Sequence, residues 1–181
     1  MRTFKPNLTS EMLLSCAESI VNESSRTLDL GCGSGYVGIQ LAKSTKLKEL
    51  CCSDLDKKSF KKVSIEAKKY MVNLHFMQGS LFEPWQGEKF DLIVSDISPN
   101  KTGNSITDQY HFFQIAGEIL EFSKKALKSK GSLVMKVFIG LGFEEFVKES
   151  KLIFRETIFF KPKSSTQKSK ETYLIASSIR L

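Results

Sequence analysis

Three residues of this chain pair a reactive side chain with a position from which a β-sheet would present it. Asp96 closes the apolar run Leu92-Ile93-Val94-Ser95, at the carboxyl end of an expected strand, where open α/β sheets bind their ligands. Lys136 interrupts another apolar run, Val134-Met135-Lys136-Val137-Phe138, and a charged amine in such a setting is costly unless it is paired. Glu171 opens a last apolar run, Thr172-Tyr173-Leu174-Ile175-Ala176, directly after a basic stretch. Each residue alone suits a salt bridge at the sheet's edge. Together they suit the positioning or deprotonation of a polar reactant.

A second group has the chemistry of a ligand cradle. Thr27-Leu28-Asp29-Leu30-Gly31-Cys32-Gly33-Ser34-Gly35 leaves one expected strand and enters a helix, with glycine at alternate positions. Such glycines let the backbone turn sharply and approach a ligand with no Cβ in the way. Asp54 ends the second expected strand, placed to accept hydrogen bonds from ribose hydroxyls, and Gln78-Gly79-Ser80 ends the third. Nicotinamide loops usually read G-x-G-x-x-G. This one reads D-x-G-x-G-x-G and resembles the motif with which class I methyltransferases hold the methionine moiety of S-adenosylmethionine. That resemblance implies S-adenosylmethionine as cofactor, held by Asp29, Gly31, Gly33, Gly35, Asp54, Gln78, Gly79, Ser80 and Asp96. At Ser80 many such enzymes carry a carboxylate for the adenine amino group; here the group is a neutral hydroxyl.

From Ser95 to Ala176 the sequence resembles the RrmJ/FtsJ family of ribosomal RNA 2′-O-methyltransferases. Three blocks carry the likeness: Ser95-Asp96-Ile97-Ser98-Pro99-Asn100 with Thr102-Gly103; Lys136-Val137-Phe138 with Gly140, Gly142 and Phe143; and Lys161-Pro162 with Ser164-Ser165, Ser169, Glu171, Tyr173 and Ala176. That family works with a Lys, Asp, Lys, Glu tetrad. The likeness places its last three members on Asp96, Lys136 and Glu171, and Lys5 in Arg2-Thr3-Phe4-Lys5 is the candidate for the first. It implies methylation of a ribose 2′-hydroxyl in ribosomal RNA or a ribosomal subunit. Lys136, held between Asp96 and Glu171, would orient that hydroxyl or take its proton. Lys161, Lys163, Lys168 and Lys170 would then neutralise RNA phosphates, positioning a substrate rather than reading its bases.

Two other readings stay open. Phe4-Lys5-Pro6 with Thr9-Ser10-Glu11, and Gln78-Gly79-Ser80-Leu81-Phe82-Glu83-Pro84, look like HemK-type glutamine N-methyltransferases. Those enzymes clamp a planar amide with an aromatic ring after the fourth strand, whereas Ile97, Ser98 and Pro99 follow Asp96 here. Groups at the reacting centre outweigh the scaffold, so ribose methylation is preferred. The other is a catalytically idle RNA-binding module of the same fold.

These side chains need elements to position them. Short β-type runs at 26–30, 49–53, 74–77, 92–95, 133–138, 153–160 and 172–177 alternate with helical runs at 10–22, 37–44, 57–70, 108–129 and 143–150. That alternation predicts an α/β fold, a Rossmann-like, mostly parallel seven-stranded sheet with helices on both faces and an antiparallel last strand.

Bulk properties bound the rest. At 181 residues, 41% of them apolar and four proline, the chain suits one domain over 1–181. No apolar run approaches a membrane span or signal peptide, so a cytoplasmic protein with no membrane partner is expected, and a monomer. Cys16, Cys32, Cys51 and Cys52 lack metal or disulfide spacing, and with only His75 and His111 beside them no metal is expected. Residues 121–181 hold 13 Lys plus Arg against 6 Asp plus Glu, while residues 1–120 balance at 14 against 14, so the formal +7 lies wholly in the last third. Such asymmetry suits a polyanionic partner or a solvated surface. Phe112-Phe113 and Phe159-Phe160 are expected in the core, and Trp85 as a loop anchor.

Overall fold

The computed structural model describes residues 8–98, 102–161 and 169–180. Its elements run α1 (Leu8–Glu18), β1 (Arg26–Leu30), α2 (Tyr36–Thr45), β2 (Glu49–Asp54), α3 (Lys57–Lys69), β3 (Leu74–Gln78), a 3-10 turn (Glu83–Trp85), β4 (Phe90–Ser95), α4 (Ser105–Ala126), β5 (Leu127–Phe138), α5 (Phe143–Ile153), β6 (Phe154–Phe160) and β7 (Glu171–Ile179). The strands form one sheet in the order β3-β2-β1-β4-β5-β7-β6. Every pairing from β3 to β5 is parallel, and β7 runs antiparallel to both its neighbours.

The central strands are apolar on both sides because helices cover both faces. On one face Leu92, Val94, Val134 and Tyr173 pack with Leu13 and Cys16 of α1 and with Val37 and Leu41 of α2; Cys52 packs with Val63 and Ala67 of α3. On the other, Ile93, Leu133, Met135 and Leu174 meet Phe112, Ala116 and Ile119 of α4 and Phe146 of α5. Cys51 and Cys52 lie in clusters on opposite faces, and all four cysteines are buried thiols. Trp85 is fully buried, edge-on to both His75 and Phe90. Phe112 is core, but Phe160, expected there, is 40% exposed, because β6 is an edge strand and presents alternate side chains to solvent.

Each expected strand and helix is present. The largest displacement is at the join of α4 and β5, where the helix was expected to continue to 129. Leu127 instead takes extended dihedrals and pairs with Phe90, while Lys128 forms an ion pair with Asp91 at 2.8 Å, so the chain passes from helix to strand without a loop. At its other end α4 begins at Ser105 because the Asn104 side chain accepts from the Ile106 and Thr107 amides. Among the described residues no helix is long and apolar enough to cross a membrane.

Candidate active site

Parallel strands bring their carboxyl ends to one edge, and a cavity of about 900 Å³ opens there. Asp29, Gly31, Gly33, Asp54, Ser80 and Asp96 all line it, as does Lys136. The turn after β1 makes the floor. Gly31, Gly33 and Gly35 have φ of 65°, 54° and 75°, in the left-handed region. At Gly31 a side chain is excluded twice over, since a Cβ would also lie 2.5 Å from Ile97 Cγ1. The Gly33 amide donates to Asp54 Oδ2 at 2.7 Å, tying the turn to the end of β2. The Asp56 amide donates to Asp54 Oδ1 at 2.8 Å, so both carboxylate oxygens are fixed while Asp54 faces the cavity.

Asp29 is nearly inaccessible, with Oδ2 accepting from the Gly38 amide of α2 at 3.0 Å. Burial pushes its carboxyl up to about 7, opposed by the Gly38 hydrogen bond and reinforced by the Asp96 and Asp54 charges. Gly35, Gln78 and Gly79, expected to touch the cofactor, are not part of the cavity wall. Gly35 lies under Val63, the Gln78 amide turns to the Leu55 carbonyl at 3.3 Å, and Gly79 abuts Pro84. These three shape the segments that carry the wall. The donor set, the positive-φ turn and the volume fit a nucleoside-sized ligand carrying an amino-acid tail.

At the β4 and β5 end of the cavity lies the reactive pair. Lys136 is only 6% exposed, and its Nζ donates to Asp96 Oδ1 at 2.6 Å and to the Asp96 carbonyl at 3.0 Å. The other carboxylate oxygen, Oδ2, accepts from Ser10 Oγ at 2.7 Å. Ser10 belongs to α1, and the next residue back is anchored too: the Tyr173 hydroxyl donates to the Thr9 carbonyl at 3.0 Å. Burial, with the nearby Glu171 and Asp96 charges, pushes the Tyr173 hydroxyl well up, so it stays a donor. Ser10 and Tyr173 are site residues that the sequence pattern does not reveal. They meet Asp96 and Thr9 across 86 and 164 residues, and no local spacing signals such contacts.

Glu171 is not the second partner of Lys136. The β5–β7 register sets Lys136 against Tyr173 and Phe138 against Glu171, which makes Glu171 a diagonal neighbour of Lys136, about 7–8 Å away between Cα atoms. It lines a second cavity of about 500 Å³ with Phe112, Phe138, Ser169 and Lys170. Ser98, just after Asp96, borders both cavities. Lys161 and Lys170 are exposed at the facing ends of β6 and β7. Lys5, Lys163 and Lys168 lie outside the described residues.

A sheet reversed only at its next-to-edge strand, with a glycine turn after β1, an acid ending β2 and a cavity across the strand ends, is the class I methyltransferase fold. Solved structures agree on that fold. A methyltransferase from Pyrococcus furiosus superposes with a TM-score of 0.73 at 15% identity, covering 97% of this chain and 87% of that one. A putative ribosomal RNA methyltransferase from Plasmodium falciparum gives 0.66 at 20% identity, covering 97% and 98%.

Residues 13–178 match the family model described as FtsJ-like methyltransferase, and the chain belongs to that family. It is therefore a methyltransferase, with S-adenosylmethionine as methyl donor. Ribosomal RNA large subunit methyltransferase E of Pelagibacter ubique (strain HTCC1062) is 32% identical over 155 residues, 84% of this chain and 74% of that protein. The protein of the same name from Francisella tularensis subsp. novicida (strain U112) is 40% identical over 93 residues, 51% of this chain and 45% of that one.

Proposed function

We propose that the chain methylates a ribose 2′-hydroxyl of ribosomal RNA, acting as a cytoplasmic monomer. The observation that carries this reading is the Lys136 ammonium, paired to Asp96 at 2.6 Å and facing the cofactor cavity from the side nearest the second cavity. Methyl transfer is an in-line displacement, so the acceptor oxygen must be held behind the carbon it attacks. S-adenosylmethionine, when bound, supplies a methyl group made electrophilic by its sulfonium.

The protein's part is orientation. Two N–H bonds of Lys136 are taken by Asp96, through Oδ1 and the main-chain carbonyl. No other acceptor for this ammonium lies among the described residues, and the third N–H donates to the ribose oxygen, fixing its position and directing a lone pair at the methyl carbon. Asp96 is itself fixed by Ser10, so the ammonium has one place to sit. A tight pair of this kind suits a donor of hydrogen bonds better than a base. The hydroxyl proton leaves as the new C–O bond forms, and this reading gives it to the carboxylate of Glu171, which lines the adjoining cavity, by way of solvent. Lys161 and Lys170, with Lys163 and Lys168 between them in sequence, neutralise the phosphates flanking the target nucleotide. The names of the Pelagibacter and Francisella relatives support ribosomal RNA as the substrate.

The test is to incubate the protein with methyl-labelled S-adenosylmethionine and, in separate reactions, ribosomal RNA, large ribosomal subunits and total protein. The expected product is RNA whose label survives alkali in dinucleotides, because a methylated 2′-oxygen cannot attack its own phosphodiester. Label in protein alone, or on a base, would overturn the reading.

A further inference from the structure

The helix beside the cavity mouth carries a cationic face that the chemistry above does not use. α3 reads KKSFKKVSIEAKK, six lysines against one glutamate. At 100° per residue the lysines, with Ile65, fall within an arc of about 140°. The buried residues Ser59, Val63 and Ala67 lie opposite, so all six lysines face solvent. Among the described residues these lysines form one ion pair, Lys69 to Glu66 at 3.9 Å. Among the described residues no carboxylate lies within 4.0 Å of Lys57, Lys58, Lys61 or Lys62.

This arrangement works against the helix that carries it. Lys57 and Lys58 occupy the first turn, at the positive end of the helix dipole, where the N-cap Asp56 is the one acid and the turn itself holds none. Lys57 with Lys61 and Lys58 with Lys62 are like-charge pairs at i,i+4, which repel. The nearby acids offset this only in part, since neither Asp54 nor Asp56 forms an ion pair with these lysines. The Asp54 oxygens accept from the Gly33 and Asp56 amides, and Asp56 Oδ1 accepts from the Lys58 amide. A solvated face kept for solubility would spread its charge or mix its signs. Here four unpaired cations crowd the end nearest the cavity, whose wall includes Leu55 and Asp56. Two apolar side chains stand exposed beside them, Leu55 and Phe60, at 70% and 53%. The Phe60 ring rests on Phe76 of β3 with centroids 5.1 Å apart. Cations flanked by an exposed aromatic ring are what a nucleic-acid strand requires: charge for its phosphates and a flat surface for a base.

We infer that the α3 face formed by Lys57, Lys58, Lys61 and Lys62 is a second RNA-backbone contact, on the far side of the cofactor cavity from Lys161 and Lys170. The inference rests on the reading that RNA is the substrate. β2, which leads into α3, stands three strand spacings from β5, about 14 Å. A strand whose target ribose meets Lys136 therefore reaches α3 within a few nucleotides. The cofactor cavity lies between the two cationic surfaces, so RNA held by both spans its mouth.

The experiment measures the salt dependence of ribosomal RNA binding by the full chain and by a fourfold variant, Lys57→Gln, Lys58→Gln, Lys61→Gln and Lys62→Gln. Each phosphate contact adds about 0.7–0.9 to the slope of log K against log salt. The variant should lose about 3 from that slope and bind at least tenfold more weakly near physiological salt. It should also keep its cofactor affinity and unfold no earlier than the parent. The matching fourfold arginine variant should keep the parental slope, which shows that charge is what acts. A glutamine variant whose slope stays within about 0.5 of the parent, while still methylating RNA, overturns the inference and leaves the RNA reading standing. Loss of affinity for anionic lipid vesicles with an unchanged RNA slope also overturns it, giving the face to a membrane. A parent that neither binds RNA nor transfers label to it overturns both.

Discussion

Asp29→Asn isolates one buried charge. Burial pushes the Asp29 carboxyl from 3.8 up to about 7, so between those values the folded chain holds a proton that the unfolded chain has released. Stability credited to that proton is complete below 3.8 and is given up as pH rises through 7. The interval corresponds to about 4 kcal/mol, at about 1.4 kcal/mol for each pH unit. Asparagine removes the titration and keeps an oxygen for the Gly38 amide, while groups common to both proteins cancel when the variant is compared with its parent. Urea unfolding of both, in steps from about pH 4.5 to 8, should therefore give a difference that moves in the variant's favour by about 1.4 kcal/mol per unit until pH 7 and then flattens. Curves parallel to within about 0.5 kcal/mol, or diverging the other way, would show that Asp29 titrates no higher in the fold than in the open chain.

Gly31→Ala should destabilise the chain by about 2–4 kcal/mol, from a left-handed residue with a side chain and from overpacking against Ile97. Thermal unfolding measures this, and Ile97→Ala in the same chain should restore part of the loss; a wild-type melting point in Gly31→Ala would contradict the tight turn. Ser10→Ala frees Asp96 Oδ2, so kcat should fall about tenfold with cofactor affinity unchanged, the equivalent of one charge-assisted hydrogen bond. An unchanged kcat would remove Ser10 from the set that positions Asp96.

Much of the fold was legible because alternation of short and long apolar runs reports directly on strands and helices. The α4–β5 join was not, since Leu127 leaves the helix to pair with Phe90, a partner 37 residues away. The same division holds at the site. Asp96, Lys136 and the glycine turn stand out because strand ends and lysines in apolar runs are local signals. Ser10 gave no such signal, because its contact with Asp96 exists only once α1 is docked on the sheet. Glu171 shows the limit of pattern reading. Its strand is legible, but its partner is set by register, which puts it directly opposite Phe138 and only diagonal to Lys136, whose ion pair is with Asp96. The lysines of α3 were hidden by arithmetic: summed over residues 1–120, they cancel against acids that lie elsewhere.

Lys136 decides the matter. Lys136→Met keeps the bulk of the side chain and removes the ammonium, so the comparison to make is single-turnover methyl transfer to ribosomal RNA beside calorimetric affinity for S-adenosylmethionine. The arrangement at Asp96 predicts a rate lower by about 10²–10⁴ with cofactor affinity within about threefold of the parent. A variant that transfers methyl at the parental rate would show that the amine of β5 takes no part in the reaction.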